Sequence, residues 1–148
     1  MQPSVSQWFS EERGSALVEV ALVLPLLLLL ALGVVGVGRV VQARMGVSAV
    51  ARETARAAAL APTPSDAVER GLATGQAVGV GYGLTNGSLA LSLDVGGFER
   101  GGSVQARASY AVSLADLPLL GWAQVQVAGE QVERIDLYRS RPTIGGRP

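Results

Sequence analysis

Nineteen uncharged residues run from Val20 to Gly38. At 1.5 Å per residue a helix of that length covers about 28 Å, the thickness of a bilayer's hydrocarbon core. The pattern therefore predicts a transmembrane helix over residues 15–38. Past Arg39 the uniform run gives way to helical periodicity. Val40, Ala43, Val47, Val50, Ala51 and Ala58 share one face, while Gln42, Ser48, Arg52, Glu53 and Arg56 lie largely on the other, with Arg44 the exception. An amphipathic stalk helix over 39–61 is expected, continuous with the span from about Ser15 to Leu60. Its small apolar residues suit close packing, either against the chain's own outer domain or against sister helices.

Pro62 and Pro64 end the stalk and mark a linker over 62–65. Asp66, with Glu69 three residues on, reads as a capping pair for a second helix reaching about Gly79. Gly79-Val80-Gly81-Tyr82-Gly83 reads as a loop and Asn86-Gly87 as a turn. Period two then takes over. Leu89, Leu91, Leu93 and Val95 alternate with small or polar residues, and Val104, Ala106, Ala108, Tyr110, Val112 and Leu114 do so more cleanly. The pairs Gly96-Gly97 and Gly101-Gly102 bracket the loop between these strands. A third strand begins near Ala123, and Gly129 divides it from a fourth segment ending around Tyr138. The fold class is thus α+β: a long transmembrane-plus-stalk helix, a short helix and a small antiparallel sheet whose apolar face the stalk covers. The outer domain occupies 66–138, and residues 139–148 read as a disordered tail.

Composition narrows the chemistry. With 148 residues there is room for one span and one small domain. Charge is balanced, at 12 Arg against 12 Asp and Glu with no Lys, which argues against an electrostatic nucleic-acid binder. Cys and His are both absent, which removes disulfides, thiol nucleophiles, His bases and the usual zinc and haem ligands. Asp94, Asp116, Glu130, Glu133 and Asp136 remain as carboxylates, none in a recognisable catalytic context. The glycine-rich stretch at 79–83 has neither the Walker lysine nor a dinucleotide fingerprint. No enzymatic activity, cofactor, metal or small-molecule substrate is expected.

The apolar run is too long for a secretory signal peptide, and a lipoprotein signal would need a cysteine. An uncut signal anchor fits the length but leaves Gly14 and Glu19 unexplained. A prepilin signal, cut on the cytoplasmic side so that the whole run stays in the product, uses both. The stretch from Glu12-Arg13-Gly14-Ser15-Ala16-Leu17-Val18-Glu19 through Pro25-Leu26-Leu27 resembles the start of TadE-like proteins, the pseudopilins or minor pilins of tight-adherence (Flp) pilus systems. The likeness continues through Gly38-Arg39 to the alanine-rich Ala49–Ala58 segment, and beyond it only the pattern of a linker and a strand-rich, pilin-like tail is shared. Val20 stands where the family often has an aromatic residue, and Glu11 and Glu12 make the leader acidic where prepilin leaders are usually basic.

The resemblance implies a leader over 1–14 with Gly14 its last residue, Ser15 the new N-terminus and Glu19 the fifth mature residue. It implies as partners the cytoplasmic membrane, a prepilin peptidase, other pilins or pseudopilins and the pilus assembly platform. The chain would lie N-terminus in and C-terminus out, and enter or assist an adhesive pilus. Counting arginines points the other way, since Arg39 and Arg44 follow the span and Arg13 alone precedes it. The motif is preferred because the positive-inside rule is a bias. By itself, Glu19 reads either as a headgroup-level carboxylate facing water or as a partner for a neighbouring subunit's Ser15 amine. A pair at 4 Å is worth about 4 kcal/mol at an effective dielectric of 20, partly offset by desolvation. Pro25 removes the donor to the Ala21 carbonyl, which marks a helix kink, either a flexible point for leaving the bilayer or an ordinary membrane-helix proline. The alternatives to a Tad pilin are an uncut anchored protein with an outer binding domain, and a pseudopilin of a secretion or DNA-uptake machine.

Overall fold

The computed structural model describes residues 5–85, 88–118 and 121–136, with side chains described from Ala16 onward. Along the chain run α1 (Val5–Ala59), α2 (Pro64–Gly81), β1 (Leu89–Asp94), β2 (Ser103–Ser113) and β3 (Gln124–Arg134), an α+β protein. The Asn86-Gly87 turn, the strand end near Tyr138 and the tail over 139–148 lie outside the described residues. The chain divides into two compact units, Met1–Gly38 and Arg39–Pro148.

In the first unit α1 begins at Val5 rather than at Ser15. Residues 5–13 contain neither Pro nor Gly, so nothing there interrupts an i→i−4 ladder. The helix runs on through Gly14 and through Pro25. Its large apolar side chains are exposed among the described residues: Leu22 is 73% exposed and Leu30 66%. The stretch Ala16–Ala59 is long and apolar enough to cross a membrane, and only 6% of its most apolar window is buried. A core helix of a water-soluble domain would show the opposite burial.

In the second unit the amphipathic stripe of α1 is the core. Ala43, Val47, Val50, Ala51 and Ala58 are buried as their spacing predicts, and Ala49, Thr54 and Ala55 join them. Gln42, Ser48, Arg52 and Arg56 are exposed. The turn after α1 is closed by Ala61 N–H donating to the Ala58 carbonyl at 3.0 Å. Helix α2 starts at Pro64, not at Asp66. Pro64 occupies the first turn, where its missing N–H is no loss, and the N-cap is Thr63, whose Oγ1 accepts from Asp66 N–H at 3.1 Å. Asp66 is therefore the third residue of a capped turn and not the cap itself.

The glycine-rich stretch is not one loop. Gly79 and Gly81 are helical, and only Gly83, at φ +75°, adopts the left-handed conformation. Gly83 N–H donates to the Val80 carbonyl at 3.0 Å and Leu84 N–H to the Gly79 carbonyl at 2.9 Å, the paired bonds of a Schellman cap, with Leu84 buried beyond it.

The three strands form one antiparallel sheet in the order β1-β2-β3. Leu91 pairs with Ala108 and Ala108 with Gly129, so the inner face reads Leu89, Leu91 and Leu93 on β1 and Val104, Ala106, Ala108, Tyr110 and Val112 on β2. Gly129 does not divide two strands: β3 runs unbroken through it. A Cβ at Gly129 would lie 3.0 Å from Ser48 Cα and 3.1 Å from Ser48 N, so glycine sits there because the α1 backbone passes directly over the strand. Helix α2 meets β1 in a similar way. Cβ atoms at Gly71, Gly75 and Gly79 would come within 2.8, 2.6 and 2.6 Å of Leu93, Leu91 and Leu89 Cδ2 respectively.

Candidate processing and assembly site

The residues that carry the expected processing chemistry all lie on α1 within the first unit. Gly14 and Ser15 are helical in backbone, in the interior of α1 and well past its first turn. Glu19 follows Ser15 by four residues, one turn later on the same face and about 6 Å further along the axis. Glu19 is exposed, and among the described residues no cation forms an ion pair with it. Pro25 stands a further six residues on, within the continuous helix.

In the second unit the carboxylates are structural in their surroundings. Asp116 Oδ1 accepts from Arg39 Nη1 at 2.5 Å. That hydrogen bond, a backbone donor and the cation's charge hold the Asp116 carboxyl below its ordinary range. Glu130 accepts from Arg107 Nε at 3.0 Å and from Gln105 Nε2, and the Arg107 bond is the main reason its carboxyl is likewise lowered. Asp94 Oδ1 accepts from Gly96 N–H at 2.9 Å, closing the turn after β1. Glu133 lies on β3 opposite Val104, and Asp136 follows the buried Ile135, which comes directly after β3. Among the described residues no group of three acidic side chains is gathered as for a metal ion. A cavity of about 200 Å³ opens beside Arg39, lined by Gln42, Tyr82, Leu84, Tyr110 and Ser113 among others.

Sequence reasoning missed the Arg39–Asp116 pair, because the partners are 77 residues apart and neither carries a local signal. It also missed Thr54, buried with its Oγ1 lacking a hydrogen-bond partner among the described residues. The four-residue spacing of Gly71, Gly75 and Gly79 was the available clue to that packing.

An α+β unit and an exposed apolar helix long enough to cross a membrane are together consistent with a membrane-anchored class of protein. More particularly, residues 14–56 match the family described as TadE-like protein, so the chain carries a TadE-like segment from Gly14 to Arg56, less than a third of its length. No curated protein and no solved structure matches the chain.

Proposed function

We propose that the protein is a TadE-like pseudopilin or minor pilin, cut between Gly14 and Ser15 by a prepilin peptidase and held in the cytoplasmic membrane with its C-terminus outside. It assists assembly or priming of an adhesive Tad pilus alongside other pilins and the assembly platform, by helix packing rather than by chemistry of its own. The observation that carries this reading is that the TadE-like match begins at Gly14 and takes in Ser15, Glu19 and Pro25. Cutting makes the Ser15 amine and leaves Glu19 one turn away, so staggered copies present an ammonium to a carboxylate at a fixed height, which sets register. Pro25 supplies the point at which the helix yields when a subunit leaves the bilayer. The helical backbone at Gly14 adds a requirement, since the bond to be cut must first leave the helix. Glycine there weakens the helix by about 1 kcal/mol relative to alanine.

The test is the N-terminal sequence and intact mass of the protein from native membranes. A chain starting at Ser15 supports the reading, and one starting at Met1 or Gln2 refutes it. Arg39 and Arg44 after the span favour a second reading, an uncut anchor with an outer binding domain. Gly14→Ala separates the two, because only a processed protein accumulates a longer precursor.

A further inference from the structure

The cavity beside Arg39 lies within the second unit and is built from three separate stretches of chain. Arg39 and Gln42 come from α1, three residues apart and so on one face. Tyr82 and Leu84 come from the cap of α2, where Gly83 turns the chain in the left-handed conformation. Tyr110 and Ser113 come from β2, the central strand of the sheet. The proposed assembly role uses none of this.

Tyr110 points to an occupant. Only 7% of the residue is exposed, yet its hydroxyl has no hydrogen-bond partner among the described residues. A buried phenol normally finds one. Thr54 Oγ1 is sealed from solvent and orphaned, whereas the Tyr110 hydroxyl is not sealed, so it opens on the cavity that the residue lines. The Gln42 amide and the Tyr82 hydroxyl are likewise without partners among the described residues. Ser113 Oγ accepts from Ala115 N–H at 3.3 Å and keeps its own proton to donate.

Charge then narrows the class of ligand. Arg39 is the one charged residue in the lining, and Asp116, which lies outside the lining, binds it at 2.5 Å. The cavity therefore offers no unpaired charge. What remains is an amide and three hydroxyls, all of which both donate and accept. Such a lining matches a neutral molecule that carries hydroxyls of its own. At about 200 Å³ the space suits one sugar ring and not a chain of them. Tyr82, 43% exposed, supplies an aromatic face against which the C–H side of such a ring can lie.

We infer that this cavity binds a single neutral pyranose ring, free or at the end of a glycan, with Tyr110, Gln42 and Ser113 bonding its hydroxyls and Tyr82 packing on its face. The site stands apart from cutting after Gly14, since every residue of its lining follows Gly38.

The experiment is saturation-transfer difference NMR on the full chain in lauryldimethylamine oxide, a detergent without a sugar head. Glucose, galactose, mannose and N-acetylglucosamine are offered in turn, with acetate as the anionic comparison. Transfer to at least one sugar and none to acetate is expected. Tyr110→Phe removes only the hydroxyl and should weaken that sugar about two- to tenfold, the worth of one hydrogen bond, while melting at or above the parent. Gln42→Ala should weaken it by a similar factor. The methyl glycoside of the bound sugar separates the two sources: transfer retained assigns the end of a glycan, and transfer lost assigns a free sugar. No transfer to any of the sugars overturns the inference. Transfer that survives both substitutions unchanged puts the sugar elsewhere and overturns it too. Transfer to acetate in place of the sugars makes the cavity an anion site and overturns the neutral class.

Discussion

Two glycines on α2, six residues apart, should respond to the same substitution with opposite signs. Gly81 is exposed and an added Cβ meets nothing within 4 Å, so Gly81→Ala removes backbone freedom from the unfolded chain and should stabilise by about 0.5–1 kcal/mol. Gly75 is buried, and its Cβ would lie 2.6 Å from Leu91 Cδ2 and closer still to Thr54 Oγ1. Leu91 is half-buried and can move aside. Thr54 is fully buried on α1, with a β-branched side chain that has little rotameric freedom in a helix. The helix-propensity gain of about 1 kcal/mol is therefore set against about 1–3 kcal/mol of overpacking, a net loss of up to about 2 kcal/mol. At about 4–8 °C per kcal/mol for a unit of this size, the two variants should melt on opposite sides of the parent. Near-UV circular dichroism of the full chain in detergent, with Trp8→Phe in parent and variants alike to remove the indole of α1, follows the packing around Tyr110. Thr54→Ala in the Gly75→Ala background should recover part of the loss, a coupling expected only of residues in contact. A Gly75→Ala chain that melts at or above the parent would refute the close approach of α2 to α1.

The remaining predictions concern single groups. Thr54→Val keeps the shape and removes the buried hydroxyl that has no partner, and should raise stability by about 1 kcal/mol, read as a higher urea midpoint at unchanged slope. The Asp116 carboxyl is held below its ordinary value of 3.8, so its contribution is present above that value and is lost as pH falls through the lowered one. Asp116→Asn should flatten the acid limb of the stability profile and leave neutral pH nearly unchanged, since the pair is exposed. Glu19→Ala should insert and be cut normally yet abolish piliation, and a fully piliated Glu19→Ala strain would remove the assembly role.

The elements whose periodicity lasts longest were the most legible. The nineteen uncharged residues and the period-two runs around Leu91 and Ala108 announce a span and a sheet without outside help. The errors cluster at glycine and proline, which carry two meanings each. Gly129 reads as a breaker, but it is a seat for the α1 backbone, and nothing local to β3 says that a helix lies above it. Pro64 reads as a terminator and is the first residue of the next helix, a distinction made by Thr63 before it. At the candidate site, Gly14 and Glu19 stand out by their place at the edge of an apolar run. Asp116 looked like any solvated carboxylate, because its partner comes from the far end of the folded unit.

The glycines of α2 meet the leucines of β1 as two rulers with different gradations. Four helical residues advance about 6.0 Å while two strand residues advance about 6.8 Å, so each rung slips by about 0.8 Å. Over the three rungs from Gly71 to Gly79 the slip reaches about 1.6 Å, still within the play of a leucine side chain. At the next step outward the slip would reach about 2.4 Å, and there the chain changes residue type: Ala67, already carrying a Cβ and buried, belongs to the cluster against which Leu93 and Val95 pack just past the end of β1. The vernier between helix and strand thus marks where glycine stops being required of α2 and a small side chain takes over.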